Sequence, residues 1–119
     1  MFKFVVTALF VVSFNVQAAE SINPGIALTE AATLLSNAEL QCKTSADCDY
    51  VAAGSRACGG PNDYIVVSKL NQNLAEVKFL AKASEDKEDI YNAENGAISI
   101  CSLVSPPTVS CVKKICVRK

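Results

Sequence analysis

Six cysteines in a 119-residue chain with no histidine restrict this protein more than any other feature of its sequence. Without an imidazole there is no Ser-His or Cys-His pair and no histidine metal site, so many common active-site designs are excluded. The cysteines must then be thiols, zinc ligands or disulfides, and the compartment decides between these. Met1–Ala19 reads as an export signal, with one positive charge at Lys3, an apolar run from Phe4 to Phe14, and small residues at Val16 and Ala18 before a cut after Ala18. The run is too short to span a bilayer. No cysteine lies near the cut, so no lipid anchor is expected there. A periplasmic or secreted product, without stable membrane insertion once the signal is gone, keeps all six cysteines, and three disulfides become the default. No Cys-x2-Cys knuckle argues for zinc, and the spacings Cys42/Cys48 and Cys111/Cys116 do not suit a thiol-exchange motif. No cofactor is expected.

The cysteines fall into two triplets, Cys42, Cys48, Cys58 and Cys101, Cys111, Cys116. Pairing them from the outside inward gives residue numbers that add to nearly the same value each time. Two antiparallel segments in one register behave this way, which suggests the nested scheme Cys42–Cys116, Cys48–Cys111, Cys58–Cys101. In that register Tyr50 faces Val109 and Pro107 falls opposite Ala52. A second scheme has local Cys42–Cys48 and Cys111–Cys116 bridges, since Cys111 and Cys116 face each other in a hairpin closed by Val112 and Ile115. Both schemes can contain Cys58–Cys101, which would restrict the unfolded chain by about 4 kcal/mol. Six cysteines allow many connectivities, and spacing alone leaves the choice open.

Half of the residues are hydrophobic and 19% are charged, which is the make-up of one small globular domain. The signal occupies 1–18, a leader and short helix 19–41, and the disulfide-stabilised domain 42–119. Asn23-Pro24-Gly25 reads as a turn, and Thr29 as the cap of a helix from Glu30 to Leu40. Residues 49–53 suggest a strand. Gly54 to Asp63, with Gly54, Gly59, Gly60 and Pro61, is a loop. Val67, Leu70, Leu74, Val77 and Leu80 recur at spacings of three and four, predicting an amphipathic helix over about 64–82. Ser84 is a candidate cap for a further helical piece ending at Asn95-Gly96, and the segment 64–95 is either one kinked helix or two. Strands are expected near 98–104, 108–112 and 115–118, the last two joined through Lys113-Lys114 despite poor turn chemistry. The predicted fold is α+β, a small antiparallel sheet covered by a long amphipathic helix and stapled by disulfides.

Recognition is most legible in Ser55-Arg56-Ala57-Cys58-Gly59-Gly60-Pro61. Glycines let a partner approach the backbone, and a disulfide at Cys58 lowers the entropy lost on binding. Arg56, Gly59, Gly60 and the following Tyr64 are the candidate binding residues, with Arg56 suited to the acidic pocket of a trypsin-like proteinase. The plainer reading is a tight turn with a solvated arginine. Lys113, Lys114, Arg118 and Lys119 form a basic end that could meet anionic groups of an envelope polymer, or simply protect an edge strand. The acidic stretch Glu85, Asp86, Glu88, Asp89 lacks calcium-loop spacing and reads as helix capping, so no metal site is expected. Carboxylate pairs such as Asp47/Asp49 would be the resource of a small hydrolase, but no phosphate loop or nucleophile elbow accompanies them.

The pattern Cys-x5-Cys at Cys42 and Cys48, then Cys58-Gly59-Gly60-Pro61, a helix, and Pro106-Pro107 with Cys111 and Cys116, resembles small cysteine-rich exported bacterial proteins. The resemblance covers residues 42–116 and implies no activity for any residue. The sequence therefore favours a non-enzymatic binding module, with proteinase inhibition through the Arg56 loop as its concrete version. An accessory subunit of a cell-envelope complex and a carboxylate-dependent hydrolase are the alternatives. The expected partner is a protein or an envelope component. With 11 basic against 12 acidic side chains, nucleic acid is not expected.

Overall fold

The computed structural model describes residues 23–98 and 104–119, in the order α1 (Pro24–Ala38), β1 (Cys48–Ala53), β2 (Asp63–Ser68), α2 (Leu74–Glu94), β3 (Val109–Val112) and β4 (Ile115–Arg118), with a short 3-10 turn at Ser45–Asp47 before β1. The expected signal over 1–18 lies outside these residues. The architecture is α+β, as the sequence predicts, but it holds two antiparallel two-stranded sheets rather than one sheet.

Helix α1 starts earlier than expected. Asn23 is its N-cap, accepting the Gly25 N–H at 3.0 Å, and Pro24 supplies a preset φ at the first helical position. The expected turn at 23–25 is thus a helix start. Thr29 is inside the helix, where its carbonyl accepts the Thr33 hydroxyl at 2.9 Å, and is not a cap.

The larger correction concerns residues 64–73. Asp63–Ser68 forms β2, paired with β1 in the register Cys48↔Ser68, Tyr50↔Val66 and Ala52↔Tyr64. The β-branched run Ile65-Val66-Val67 prefers a half-buried pleated surface, and that preference overrides the three-and-four spacing read across it. Val67 belongs to the strand, Leu70 lies in the turn after it, and only from Leu74 does the stripe become helical. Because β1 takes β2 as its partner, the expected facing of Tyr50 with Val109 does not occur. Helix α2 is one continuous helix. Ser84 is buried at its middle, not at a cap, and Asn95-Gly96 ends it with Gly96 at φ 57.

Ala32, Ala53, Ile65, Val67, Val77 and Ala81 form the main core, with Leu35, Val51, Leu74 and Leu80 packed around it. Gly25 of α1 lies directly against Ser84 and Glu88 of α2, Ala32 and Ala81 share the core between the helices, and Ser36 turns to β2, donating to Val66 O. A second core centres on cysteine, with Cys42, Cys48 and Cys116 buried and Leu40, Val66, Val109 and Cys111 packed around them. Strands β3 and β4 form the hairpin predicted around Lys113-Lys114, in the register Cys111↔Cys116 and Val112↔Ile115. Residues 40–42 lie along the other side of β4, through Cys42 N–H to Lys114 O at 2.9 Å and Cys116 N–H to Leu40 O at 2.8 Å. Ile98 is exposed and carries no strand, and the rest of the expected 98–104 strand falls largely outside the described residues.

The disulfides are Cys42–Cys111 and Cys48–Cys116, which corrects both the nested and the local scheme. Nesting required β1 to pair with the C-terminal strands, and β1 is occupied by β2. Local bonding fails for a different reason. The segment from Cys42 to Cys48 passes over the face of the hairpin, with Ser45 Oγ accepting the Cys111 N–H at 3.1 Å, so each hairpin cysteine meets a sulfur from that segment. Cys58 is also disulfide-bonded, while its expected partner Cys101 lies outside the described residues.

Candidate functional site

The loop from Gly54 to Asn62 leaves the end of β1 and returns to β2, and it is held by side chains from α2. Gly54 adopts φ 73 and donates its N–H to Ser84 Oγ at 3.0 Å, while that hydroxyl donates to Ala81 O at 2.6 Å. The next N–H, of Ser55, donates to Glu88 Oε2 at 2.6 Å. Asn62 Nδ2, at the other end of the loop, donates to both Glu88 oxygens at 2.8 and 2.9 Å. Asn23 Nδ2, from the cap of α1, reaches Glu88 Oε1 at 3.2 Å. Glu88 is only 3% exposed, so these donors take the place of water around its carboxylate. Asp89 accepts the Ser55 hydroxyl, and Asn92 Nδ2 donates to Ser55 O at 2.9 Å. Both stems of the loop are therefore fastened to one stretch of α2, from Ser84 to Asn92.

The tip closes on itself. Arg56 N–H donates to Gly60 O and Gly59 N–H donates to Arg56 O, each at 2.9 Å. Gly59 and Gly60 sit at φ 99 and 80, where a side chain would be strained, so glycine is a conformational requirement at both. Residues 57–60 are exposed, Arg56 is half-buried, and the disulfide at Cys58 lies in the tip. Arg56 thus has both backbone polar groups engaged within the turn. A substrate-like inhibitor loop keeps its specificity residue extended and offers those groups to the enzyme. This loop does not.

Of the four predicted binding residues, the structure brings Arg56, Gly59 and Gly60 together and leaves Tyr64 elsewhere. Tyr64 lies on β2, packing edge-on against Tyr50 with ring centroids 5.2 Å apart. Its carbonyl accepts from Arg118, whose guanidinium also pairs with Asp63 at 3.5 Å. Together with Thr33 and Asn37 of α1, these residues line a separate hollow of ≈ 230 Å³.

Sequence reasoning missed Glu88, Asn62 and Asn23. A signal was available, because Glu88 follows Val77, Ala81 and Ser84 at helical spacing and so falls on the buried face. The capping role expected for the acidic stretch is not found, since these residues lie well inside α2. Glu85 and Asp86 instead meet Lys82 at 3.5 and 3.4 Å, with Asp86 and then Glu85 raising the Lys82 ammonium above its ordinary value. The Asp47/Asp49 pair is spent on backbone. Asp47 accepts Lys43 N–H at 2.8 Å and Thr44 N–H at 3.1 Å, and those bonds, the Lys43 one foremost, hold its carboxyl below the usual range. Asp49 accepts Tyr50 N–H at 2.8 Å. The sulfurs of Cys42, Cys48 and Cys111 cluster within 4.8 Å, but each is already in a disulfide, so the cluster offers no thiolate to a metal.

Fold and site together define a small disulfide-stapled α+β protein that presents a fastened, glycine-tipped loop. No protein family, curated protein or solved structure matches the chain.

Proposed function

We propose that the protein is a non-enzymatic binding module of the cell exterior or periplasm, presenting the turn Arg56–Gly60 to a protein partner. One observation carries this reading. Both stems of the loop are anchored to Glu88, Asp89 and Asn92 while residues 57–60 stay exposed. A surface that is already ordered loses little conformational entropy when it docks, which is how small rigid loops gain affinity. The disulfides support an oxidising compartment, in keeping with the apolar N-terminal run. Proteinase inhibition through the Arg56 side chain is the most concrete version, and the engaged Arg56 backbone favours side-chain insertion over substrate-like docking.

Two measurements test the reading. A photo-crosslinking residue at position 57 should capture a partner in native envelope or secreted fractions, whereas the same residue at Lys78, on the exposed face of α2, should not. Titration against trypsin-like proteinases should show stoichiometric inhibition that Arg56→Ala abolishes if the inhibitor version holds. Inhibition absent across a serine-proteinase panel removes that version alone. Equal capture from positions 57 and 78 removes the loop altogether and leaves the accessory-subunit alternative.

A further inference from the structure

Away from the loop, at the C-terminal end of α1, the hairpin tip and the turn after β2 enclose an open groove of ≈ 530 Å³. Its lining is Gln41, Cys42, Lys43, Leu70, Lys114 and Ile115. Leu70 and Ile115 are 48% and 41% exposed, so its walls offer apolar surface that the fold leaves uncovered. Two ammonium groups and no carboxylate belong to this lining, in a chain whose net charge is −1. Among the described residues, neither Lys43 nor Lys114 makes a salt bridge. Asp47 acts on Lys43 through space, while its Oδ2 accepts the backbone N–H groups of Lys43 and Thr44. The groove continues past Leu70 into a hollow of ≈ 300 Å³ lined by Ala38, Glu39 and Gln72, where the Glu39 carboxylate accepts the Gln72 N–H at 2.7 Å. The trough is therefore positive at the hairpin end, apolar at its middle and acidic at its far end.

From this polarity we propose that the groove docks an extended acidic peptide segment of a partner protein, with an apolar side chain between Leu70 and Ile115 and carboxylates against Lys43 and Lys114. Charge complementarity selects the occupant. The chain's own segments outside the described residues complement the groove poorly: residues 1–22 hold one acid, Glu20, against Lys3, and 99–103 hold none. Concavity favours a peptide over a bilayer, because a flat lipid surface meets protrusions and cannot fill a trough. The site lies at the opposite end of α1 from the Glu88 network, so it stands independently of the loop reading.

The test is fluorescence anisotropy with a fluorescein-labelled Asp-Asp-Leu-Ser-Ser peptide, which keeps its acids to one side of the leucine, on the disulfide-intact protein. Saturable binding is expected, weakening as salt rises. The double variant Lys43→Glu, Lys114→Glu should bind roughly tenfold more weakly or worse, at the scale of two solvent-exposed ion pairs lost and reversed. Arg56→Ala should bind as the wild type does. Lys114→Gly, which suits the left-handed turn position, gives a folded variant that should also bind less tightly should the double variant misfold. No saturable binding, equal binding of a Lys-Lys-Leu-Lys-Lys peptide, or unchanged affinity in both lysine variants overturns the proposal. So does binding to phosphatidylglycerol vesicles that the lysine variants lose while the peptide fails to bind.

Discussion

Glu88 of α2 accepts the backbone N–H of Ser55 at 2.6 Å across 33 residues of sequence, and this bond ties the exposed turn to the helical layer. Among the described residues, every hydrogen-bond partner of the carboxylate is a donor, so an amide nitrogen placed there would face other N–H groups. Glu88→Gln should therefore cost about 1–3 kcal/mol, the penalty for leaving buried polar groups unsatisfied. For a domain of this size each kcal/mol lowers Tm by roughly 4–8 °C. Amide hydrogen exchange should rise first at Gly54 and Ser55. Unchanged protection at those two amides would show that the carboxylate does not hold the loop.

Gly25 gives the same network a steric test. A Cβ at this position would lie 2.2 Å from Glu88 Cγ and 2.7 Å from Ser84 O. Helix propensity alone predicts that Gly25→Ala gains about 0.5–1 kcal/mol. Crowding of the α1–α2 contact should reverse that sign, with a net loss of about 1–3 kcal/mol in urea unfolding. Asn37→Ala, at an exposed position of the same helix, should show no such loss.

Much of the fold was legible where one local rule acted alone. Val112 and Ile115 flank a two-residue tip and form the predicted hairpin, and Asn95-Gly96 stops α2 as its residue types require. Two rules competed in Ile65-Val66-Val67. Apolar spacing there matched a helix while β-branching matched a strand, and pairing with β1 decided for the strand. The disulfides were illegible for a deeper reason, since matching residue numbers presumes that both triplets lie on one ladder. The loop 54–62 is legible as Gly-rich and covalently held. Its anchor is harder to see, because Glu88 stands among Glu85, Asp86 and Asp89, and only its spacing from Val77, Ala81 and Ser84 sets it apart from them.

Crossed disulfides make a chemical prediction. Trypsin cuts after Lys43, Arg56, Lys113, Lys114 and Arg118, which separates all four cysteines of the sulfur core. A non-reduced digest should therefore contain the 44–56 peptide joined to the 115–118 peptide through Cys48–Cys116. A nested arrangement would join 44–56 to the peptide carrying Cys111. The energetics are non-additive in a way that follows from the spacing. Separations of 69 and 68 residues mean that either bond alone closes nearly the same loop. With one bond in place, the other closes only the short ring through 42–48 and 111–116. Replacing either pair by serine should cost about 3 kcal/mol, and replacing both about 7 kcal/mol, in the chain-entropy picture. Equal losses for the single-pair and double-pair variants would contradict this.

Asp47 sets an acid limit on the turn before β1. Its carboxyl is held below the ordinary 3.8 by the backbone N–H groups of Lys43 and Thr44, which favour the charged form. A lowered folded-state value contributes stability above the unfolded-state value, and that contribution disappears as pH falls through the folded one. Asp47→Asn should therefore lower the urea midpoint at neutral pH and converge with the wild type near about pH 2. A gap of equal size at both pH values would mean that the side chain's shape, rather than its charge, is what matters.

The hairpin tip carries avoidable strain. Lys113 and Lys114 sit at φ 50 and 63, in the left-handed region that costs an ordinary side chain roughly 1–2 kcal/mol. The register Val112↔Ile115 leaves a two-residue connection, and its two positive φ values are those of a type I′ turn, for which Asn-Gly is the favoured pair. Lys113→Asn with Lys114→Gly should therefore stabilise the protein by about 1 kcal/mol, part of the relief being offset by the freedom that glycine gives the unfolded chain. Thermal unfolding of the disulfide-intact variant is the measurement, with a Tm rise of roughly 4–8 °C expected. A fall in Tm would mean that the two lysines make contacts at the tip worth more than the backbone strain they bear.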